Sequence, residues 1–286
     1  MGCGPSVPSS CAALDQEVRT SENVSVAYFE AAPVARLGEF VERICFSSDE
    51  GSGPPPAVRV VPDGAIDVLF SVASSGACTS QVFGLKTQPL WVETPDPREN
   101  VLLHLRAGAA SRLFGVAASE LTDRGPSLSD LVGRRADEWC ARVAEAQGAG
   151  ARREWLERTF GAWASLAARA ADADDELLHA AVSRIRRARG ALPIAALARA
   201  LEVGPRRLER LFRARVGASP KGFARIVRFF AAYESLRAGR DPLDTALSHG
   251  YFDQAHLNRD FRRLAGAPPR RIFPSEGPGR ADSLRT

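Results

Sequence analysis

A chain of 286 residues with 45% hydrophobic and 25% charged residues is long enough for two domains and ordinary in composition for a soluble globular protein. Its apolar stretches fall short of the roughly 18 residues needed to span a bilayer. Residues 1–11 lack the basic start and apolar core of a secretory signal, so neither membrane nor export is expected. The formal charge of +4 conceals an asymmetry: residues 176–275 hold 20 Lys and Arg against 8 Asp and Glu, and the remainder holds 18 against 26. A basic block on an acidic body is the footprint of a nucleic-acid-binding module, although a solvated Arg-rich surface carries the same charge.

Five cysteines, Cys3, Cys11, Cys45, Cys78 and Cys140, are odd in number, widely spaced and without a CxxC pair. That pattern argues against a zinc site or a disulfide framework and favours a reducing cytoplasm. A redox-sensing thiol is the minor alternative, since thiol chemistry needs an activating environment.

In chain order, residues 1–22 are small and polar and read as a disordered arm. From Val24 to about Arg106 the signals are strand-like. Ala57–Val61 is a short β-branched run, Pro62-Asp63-Gly64 a turn, and Ala65–Val72 a second strand. Gln81–Leu85, Leu90–Glu93 and Val101–Arg106 continue the pattern, with Gly51–Pro56 as a loop. These place a β-rich barrel or sandwich over residues 23–134.

After Gly108 the period changes to that of helices, at Ala109–Phe114, Leu128–Val132, Ala136–Ala146 and Arg152–Ala170. Trp155, Leu156, Phe160 and Trp163 supply apolar residues at helical spacing. Residues 135–176 are expected to form a helical connector, with acidic Ala171–Glu176 as a linker or frayed join. Residues 177–275 read as all-helical and 276–286 as a disordered tail. The fold class is α+β.

The helical third contains two helix-turn-helix patterns. In the first, Ile194, Leu197, Ala198 and Leu201 line a short helix, and Glu202-Val203-Gly204 form a tight turn. Pro205 fits the first helical position, where its missing N–H is not needed. Leu208, Leu211 and Phe212 then make a buried stripe, leaving Arg206, Arg207, Arg210 and Arg213 outside. A second short helix rich in Arg is what enters a major groove. Ser219 and Pro220 can cap and start a connecting helix, with Phe223, Ile226, Val227 and Phe230 at i, i+3, i+4, i+7.

The second pattern starts at Asp241-Pro242 with a helix over Leu243–Ser248. Gly250 supplies the left-handed stop and Asp253 the next cap. Leu257, Phe261 and Leu264 form the apolar stripe, opposite Gln254, Asn258 and Arg259. Gln and Asn can pair bidentately with adenine, and Arg with guanine. Solvated surface polarity remains the ordinary alternative for each of these residues.

The C-terminal third resembles the arabinose-regulator (AraC/XylS) family of bacterial transcription regulators over roughly residues 177–275. The resemblance rests on Ile194, Leu197-Ala198, Val203, Leu208-Glu209-Arg210-Leu211-Phe212 and Gly217-Ala218-Ser219-Pro220. In the second half it rests on Ala246, the string Gly250-Tyr251-Phe252-Asp253-Gln254-Ala255-His256-Leu257, Phe261-Arg262-Arg263 and Gly266-Ala267-Pro268-Pro269. It implies two units joined by a long helix, reaching adjacent major grooves about 34 Å apart. By position it implies base readers Arg206, Glu209 and Arg210 in the first unit and Gln254, Asn258 and Arg259 in the second. Arg207 and His256 fall where backbone contacts occur. Gly204 replaces the usual Ser cap, and Ile272-Phe273 replace a Tyr-Arg ending.

The resemblance further implies double-stranded DNA as partner, in a bacterial cytoplasm and nucleoid. RNA polymerase, a small-molecule effector and a second copy of the chain remain open as further partners, as does activation. The front half is similar to N-terminal domains that accompany such regulators, through Val61-Pro62-Asp63-Gly64, Asp67-Val68-Leu69-Phe70, Phe83-Gly84-Leu85 and Leu105-Arg106-Ala107-Gly108, and that resemblance implies an effector-sensing or dimerising role without naming a ligand. No cofactor or metal is expected: among four histidines only His104 lies in the β region, and a cupin-type metal site needs two or three. His104 reads as a half-buried strand residue, with pocket lining as the alternative for it and for Asp63, Asp67 and Arg106. The G-x-S-x-G and GxxxxGK[ST] motifs are both absent, so catalysis is not expected. The rival reading is a ligand-binding or catalytic front domain whose C-terminal helices serve only protein interaction.

Overall fold

The computed structural model describes residues 26–33, 37–49, 58–92, 98–167 and 171–274. The arm expected over 1–22, the loop over 51–56, the helix end over 168–170 and the tail over 276–286 lie outside them. The front half is built from β1 (Val26–Ala31), β2 (Val41–Asp49), β3 (Val58–Val60), β4 (Ile66–Ala73), β5 (Cys78–Phe83), β6 (Leu90–Val92) and β7 (Arg98–Leu105). A five-stranded sheet has the order β1-β2-β7-β4-β5, and β3 and β6 pair separately. Every pairing is antiparallel.

Alternation along the strands sorts the two faces of the large sheet. Ile44, Phe46, Ile66, Val68, Phe70, Val72, Val82, Val101, Leu103 and Leu105 are buried on one face. On the other, the register sets Arg43 beside His104 and His104 beside Asp67. Arg43 Nη2 lies 2.9 Å from His104 Nε2, His104 Nδ1 lies 2.8 Å from Asp67 Oδ1, and Lys86 Nζ donates to Asp67 Oδ2 at 3.3 Å. A guanidinium only donates, so Nε2 accepts and the ring proton sits on Nδ1, on the Asp67 side of the ring. Burial alone would raise the Asp67 carboxyl. Lys86 and His104 outweigh it and hold the group well below the usual carboxylate range. His104 is thus fully buried within a polar row, not half-buried as the sequence led us to expect.

The helices that follow are α1 (Ala109–Phe114), α2 (Ala118–Leu121), α3 (Leu128–Val132), α4 (Arg135–Glu145), α5 (Gly148–Trp155) and α6 (Gly161–Ala167). A π-helical turn, Leu156–Phe160, joins α5 to α6 where one helix was expected. Trp139 meets Phe160 at 5.2 Å and Trp163 at 4.9 Å, and Phe114 stacks on Trp163 at 6.4 Å. With α4 also lying on β4 and β5, the expected connector packs onto the sheet. Cys45 is disulfide-bonded, which departs from the expectation against disulfides, whereas Cys78 and Cys140 are free thiols.

The remainder is α7 (Ala173–Arg187), α8 (Ile194–Ala200), α9 (Pro205–Arg215), α10 (Pro220–Arg237), α11 (Pro242–Ser248), α12 (Gln254–Ala265) and α13 (Pro269–Ile272). The stretch expected to fray, Ala171–Glu176, is instead the capped start of α7: Asp172 accepts from the Asp175 N–H at 2.9 Å, and Asp175 returns a bond to the Asp172 N–H. Among the described residues, no helix is long and apolar enough to cross a membrane.

The apolar core runs without a break from the sheet into these helices. Arg186 on α7 pairs with Glu42 on β2 at 2.8 Å, and Thr122 Oγ1 donates to the Gly217 carbonyl at 2.8 Å. Gly64, at φ +89, turns the chain so closely over α10 that a Cβ there would stand 3.2 Å from the Phe223 ring. Only glycine meets both conditions cheaply.

Replacing Asp67 with Asn leaves Lys86 buried without its counter-charge. We expect Asp67→Asn to lower unfolding stability by about 3 kcal/mol, read from the urea midpoint of the full chain; an unchanged midpoint would show that the polar row is not structurally required.

Candidate nucleic-acid interface

The first unit is α8, a short turn and α9. Leu197, Ala198, Leu208, Leu211 and Phe212 are buried, and Phe212 meets Phe223 of α10 at 5.9 Å. The left-handed residue of the turn is Glu202, at φ +52, while Gly204 is extended and caps α9 without a side chain. Pro205 occupies the first turn as expected.

Burial of one stripe leaves Arg206, Arg207 and Arg210 exposed and Glu209 half-buried. Glu209 Oε1 accepts from Arg213 at 3.0 and 3.1 Å, and Arg207 pairs with Asp174 at 2.8 Å. Arg206 and Arg210 make no side-chain hydrogen bond or ion pair among the described residues. Facing this helix across an open groove of about 600 Å³ are Ala117 and Ser119 at the start of α2. The front domain therefore forms one wall of a cleft whose other wall is α9.

In the second unit Asp241 caps α11 by accepting from Leu243 N–H at 2.7 Å, and Asp253 caps α12 by accepting from His256 N–H at 2.6 Å. Gly250 takes the left-handed stop at φ +71. Leu257, Phe261 and Leu264 are buried. Gln254 and Asn258 are half-buried and Arg259 is exposed. These three likewise have no side-chain partner among the described residues.

His256 differs from the rest of the predicted set. Its Nε2 lies 3.3 Å from Arg228 Nη2 on α10, and its ring stands edge-on to Tyr251 at 5.1 Å. Arg228 also donates to Asp260 Oδ2 at 3.0 Å and lies over the Tyr251 ring at 4.4 Å. The Tyr251 hydroxyl is pushed above its usual range by burial and by Asp260. This network ties α12 to α10 and fixes how far the recognition helix is rotated. Asp260 and Arg228 were not singled out from the sequence. The signal was there: Leu257, Asp260, Phe261 and Leu264 fall at i, i+3, i+4, i+7, which puts an acid on the buried stripe of a basic helix.

A second tie holds α11 to α10. Ser235 Oγ and His249 Nε2 are 2.8 Å apart, with His249 fully buried. Burial, with Arg189 and Arg240 nearby, pulls the His249 pKa below its usual value of 6.5. Between the two units α10 has 18 residues, a length of roughly 27 Å. Among the described residues no group of three or more His, Cys, Asp or Glu is placed to hold a metal ion.

A helix-turn-helix domain profile matches residues 197–274, and a domain of unknown function (DUF6597) matches residues 29–127. No curated protein matches the chain by sequence. Among solved structures, the chain is similar to ToxT from Vibrio cholerae, at 9% identity and a TM-score of 0.43, covering 88% of this chain and 98% of that one. It is also similar to ToxT from Vibrio cholerae O395 bound to (E)-4-(8-methylnaphthalen-1-yl)but-3-enoic acid, at 7% identity and TM-score 0.44, with 88% and 99% coverage. A third, unsaturated fatty acid bound ToxT from strain SCE256, gives 11% identity and TM-score 0.38, with 88% and 95% coverage.

His249 binds a proton less readily folded than unfolded, so the unfolded chain gains protons first as pH falls below 6.5. Its contribution is therefore present above 6.5 and is lost on acidification. We expect the unfolding midpoint to fall between about pH 7.5 and 5.5, and to fall less in His249→Gln; equal slopes in the two proteins would remove His249 as the cause.

Proposed function

We propose that the chain, which matches a helix-turn-helix domain over residues 197–274, is an AraC-type sequence-specific DNA-binding transcription regulator whose helices α9 and α12 enter adjacent major grooves. The observation that carries this reading is the outward set Arg206, Arg210, Gln254, Asn258 and Arg259. These residues are held on the far side of two buried stripes and have no side-chain partner among the described residues. An interaction module would not need Gln, Asn and Arg presented together on one helix. Arginines displace counterions from the phosphates and supply affinity, while base edges supply the discrimination.

Within this reading Arg206 and Arg210 approach guanine, and Gln254 and Asn258 adenine. Arg207 exchanges Asp174 for a phosphate. Glu209 accepts from a cytosine amino group once Arg213 turns to the backbone. His256 holds α12 in place from behind. Double-stranded DNA is the partner that this surface fits. RNA polymerase, a second copy of the chain and a small-molecule effector are the partners that regulation would add, in the cytoplasm. Residues 23–134 serve as the sensing unit and 177–275 as the reader.

The α2–α9 cleft supplies a route for control. DNA that seats on α9 must pass beside Ala117 and Ser119, so docking of the front domain and DNA entry compete for one face. An effector acts here by binding the docked and undocked arrangements unequally.

Selection of genomic fragments with the purified full chain, followed by sequencing at moderate salt, tests the core of the reading. We expect a motif of two short blocks about one helical turn apart. Arg210→Ala and Arg259→Ala should each cost about 1–3 kcal/mol of binding and relax one position in one block. Salt-sensitive binding with no motif would reject base reading. For the route of control, Thr122→Ala removes the hydroxyl bond to Gly217, worth about 1 kcal/mol. It should tighten DNA binding about fivefold with the motif unchanged; unaltered affinity would reject competition at the cleft.

A further inference from the structure

Phe252 is the most exposed large apolar side chain among the described residues, 89% open to solvent. Its neighbours in the chain are both tied down. Tyr251 is buried, lies under the Arg228 guanidinium at 4.4 Å and donates its N–H to the Ala246 carbonyl at 3.0 Å. Asp253 caps α12 by accepting from the His256 N–H at 2.6 Å. Phe252 is thus held out from the protein by anchored residues on either side. A phenyl ring kept in water is costly, and a polar residue at this position would avoid that cost.

The position of the ring selects its partner. It stands one residue before the cap of α12, and the N-terminal end of a recognition helix is the part that meets base edges. The charge around it suits a polyanion: the exposed residues of α12 are Ala255, Arg259, Arg262 and Arg263, and the one acid of that helix, Asp260, is buried. Leu243 and Leu247 are exposed as well, but on α11, where the exposed charges are Asp241 and Asp244. Phosphate is repelled from that face, so these leucines do not share the partner of Phe252. A phenyl ring offers a base no donor or acceptor. The apolar group that it can meet in a major groove is the C5 methyl of thymine. Gln254, two residues on, is of the type that pairs with adenine, and every adenine in a duplex brings a thymine into the same groove.

We propose that Phe252 is a specificity-determining residue that reads one thymine of the operator by packing its ring on the C5 methyl group. The inference rests on α12 being a major-groove helix, as under the proposed function, and adds to it a contact that needs no hydrogen bond. Ring and methyl leave water together when the helix seats, so the contact stabilises the complex and not the free protein. Cytosine at the same place has no methyl and sets an amino group against the ring, and an A·T pair in the reverse orientation carries its methyl on the other strand. Phe252 therefore favours thymine over each alternative.

The test uses the motif that the full-length protein selects, in the block that Arg259→Ala relaxes. Each thymine of that block is replaced in turn by deoxyuridine, which pairs as thymine does and lacks only the methyl. Binding to each duplex is measured at fixed salt for the wild-type protein and for Phe252→Ala, whose unfolding midpoint should match the wild type because the ring is exposed. One replacement should weaken wild-type binding about fourfold, the effect of burying one methyl group. The same replacement should leave Phe252→Ala binding unchanged, and Phe252→Ala should bind the all-thymine duplex at least fourfold more weakly than the wild type. Three results would each overturn the proposal while leaving base reading by α12 intact: a motif without a methyl-sensitive thymine, a methyl effect of equal size in Phe252→Ala, or wild-type affinity of Phe252→Ala for the all-thymine duplex. Binding without any motif would reject base reading itself, and the thymine contact with it.

Discussion

The burial of α10 along its length is the constraint on which the rest of the molecule depends. Phe223, Ile226, Phe229, Phe230, Tyr233 and Leu236 are all buried. They are not buried against one partner. Phe212 of the first unit meets Phe223, Phe261 of the second meets Phe229 at 4.9 Å, and the turn at Gly64 closes over Phe223. One helix thus takes a contact from each of the three parts that must be placed. Aromatic pairs of this kind add about 0.5–1.5 kcal/mol beyond the area they bury, and their edge-on geometries are lost on small rotations. A one-residue slip of α10 would rotate its stripe by about 100° and undo all three at once.

Charge is sorted by the same packing. An Arg-rich chain risks pairing its outward arginines with its own acids, which would leave nothing for a polyanion. Here the acids are taken up by arginines other than Arg206, Arg210 and Arg259: Asp174 by Arg207, Asp172 and Asp175 by Arg215, Glu209 by Arg213 and Asp260 by Arg228. The exposed pairs contribute little stability and exchange readily for phosphate. The Asp260–Arg228 pair is different, because it is largely shielded from water. Desolvation offsets most of its attraction, so its value is directional. It permits one rotation of α12 about its axis, and that rotation keeps Gln254, Asn258 and Arg259 outward.

Much of this was legible in the sequence where local chemistry decides local structure. Ser219-Pro220, Asp253 and Gly250 mark helix ends through cap bonds and a left-handed stop, and each does so in the fold. The helices Ala109–Phe114 and Leu128–Val132 were bounded correctly for the same reason. Where non-local packing decides, the sequence was silent. β2 carries Arg43, Cys45 and two serines with a register shift after Val41, so its alternation is blurred. α2 has Ala117 as its cap, with only Glu120 folding back to the Ala117 N–H. The π turn over Leu156–Phe160 keeps helical spacing in sequence while shifting the faces of α5 and α6 relative to one another. His256 was placed toward the phosphates by its position in a motif; the partner that draws it inward, Arg228, lies 28 residues away.

The front domain and the reader are joined by contacts of unequal strength. On α7 and α10 the joints are core: Leu178 against Gly108, Phe223 against Gly64, and the half-buried pair Arg186–Glu42. At the other joint α2 packs on the end of α9, with Gly217 so close that a Cβ there would stand 2.6 Å from Thr122 Oγ1 and 2.9 Å from the Ala118 carbonyl oxygen, and the Ala117–Ser119 side opens as a groove. On the proposed competition between front domain and DNA, displacement starts on the groove side of α2, where Ala117 and Ser119 face α9 without being sealed against it. The first recognition helix is the element exposed to that displacement. The second is held to Arg228 of α10 through Asp260 and Tyr251, and at the end of α12 Gly266 lies against Pro89 of the front domain. In the proposed regulator the two units are therefore unequal: α9 faces the α2 groove, whereas α12 presents Gln254, Asn258 and Arg259 without a side-chain partner among the described residues.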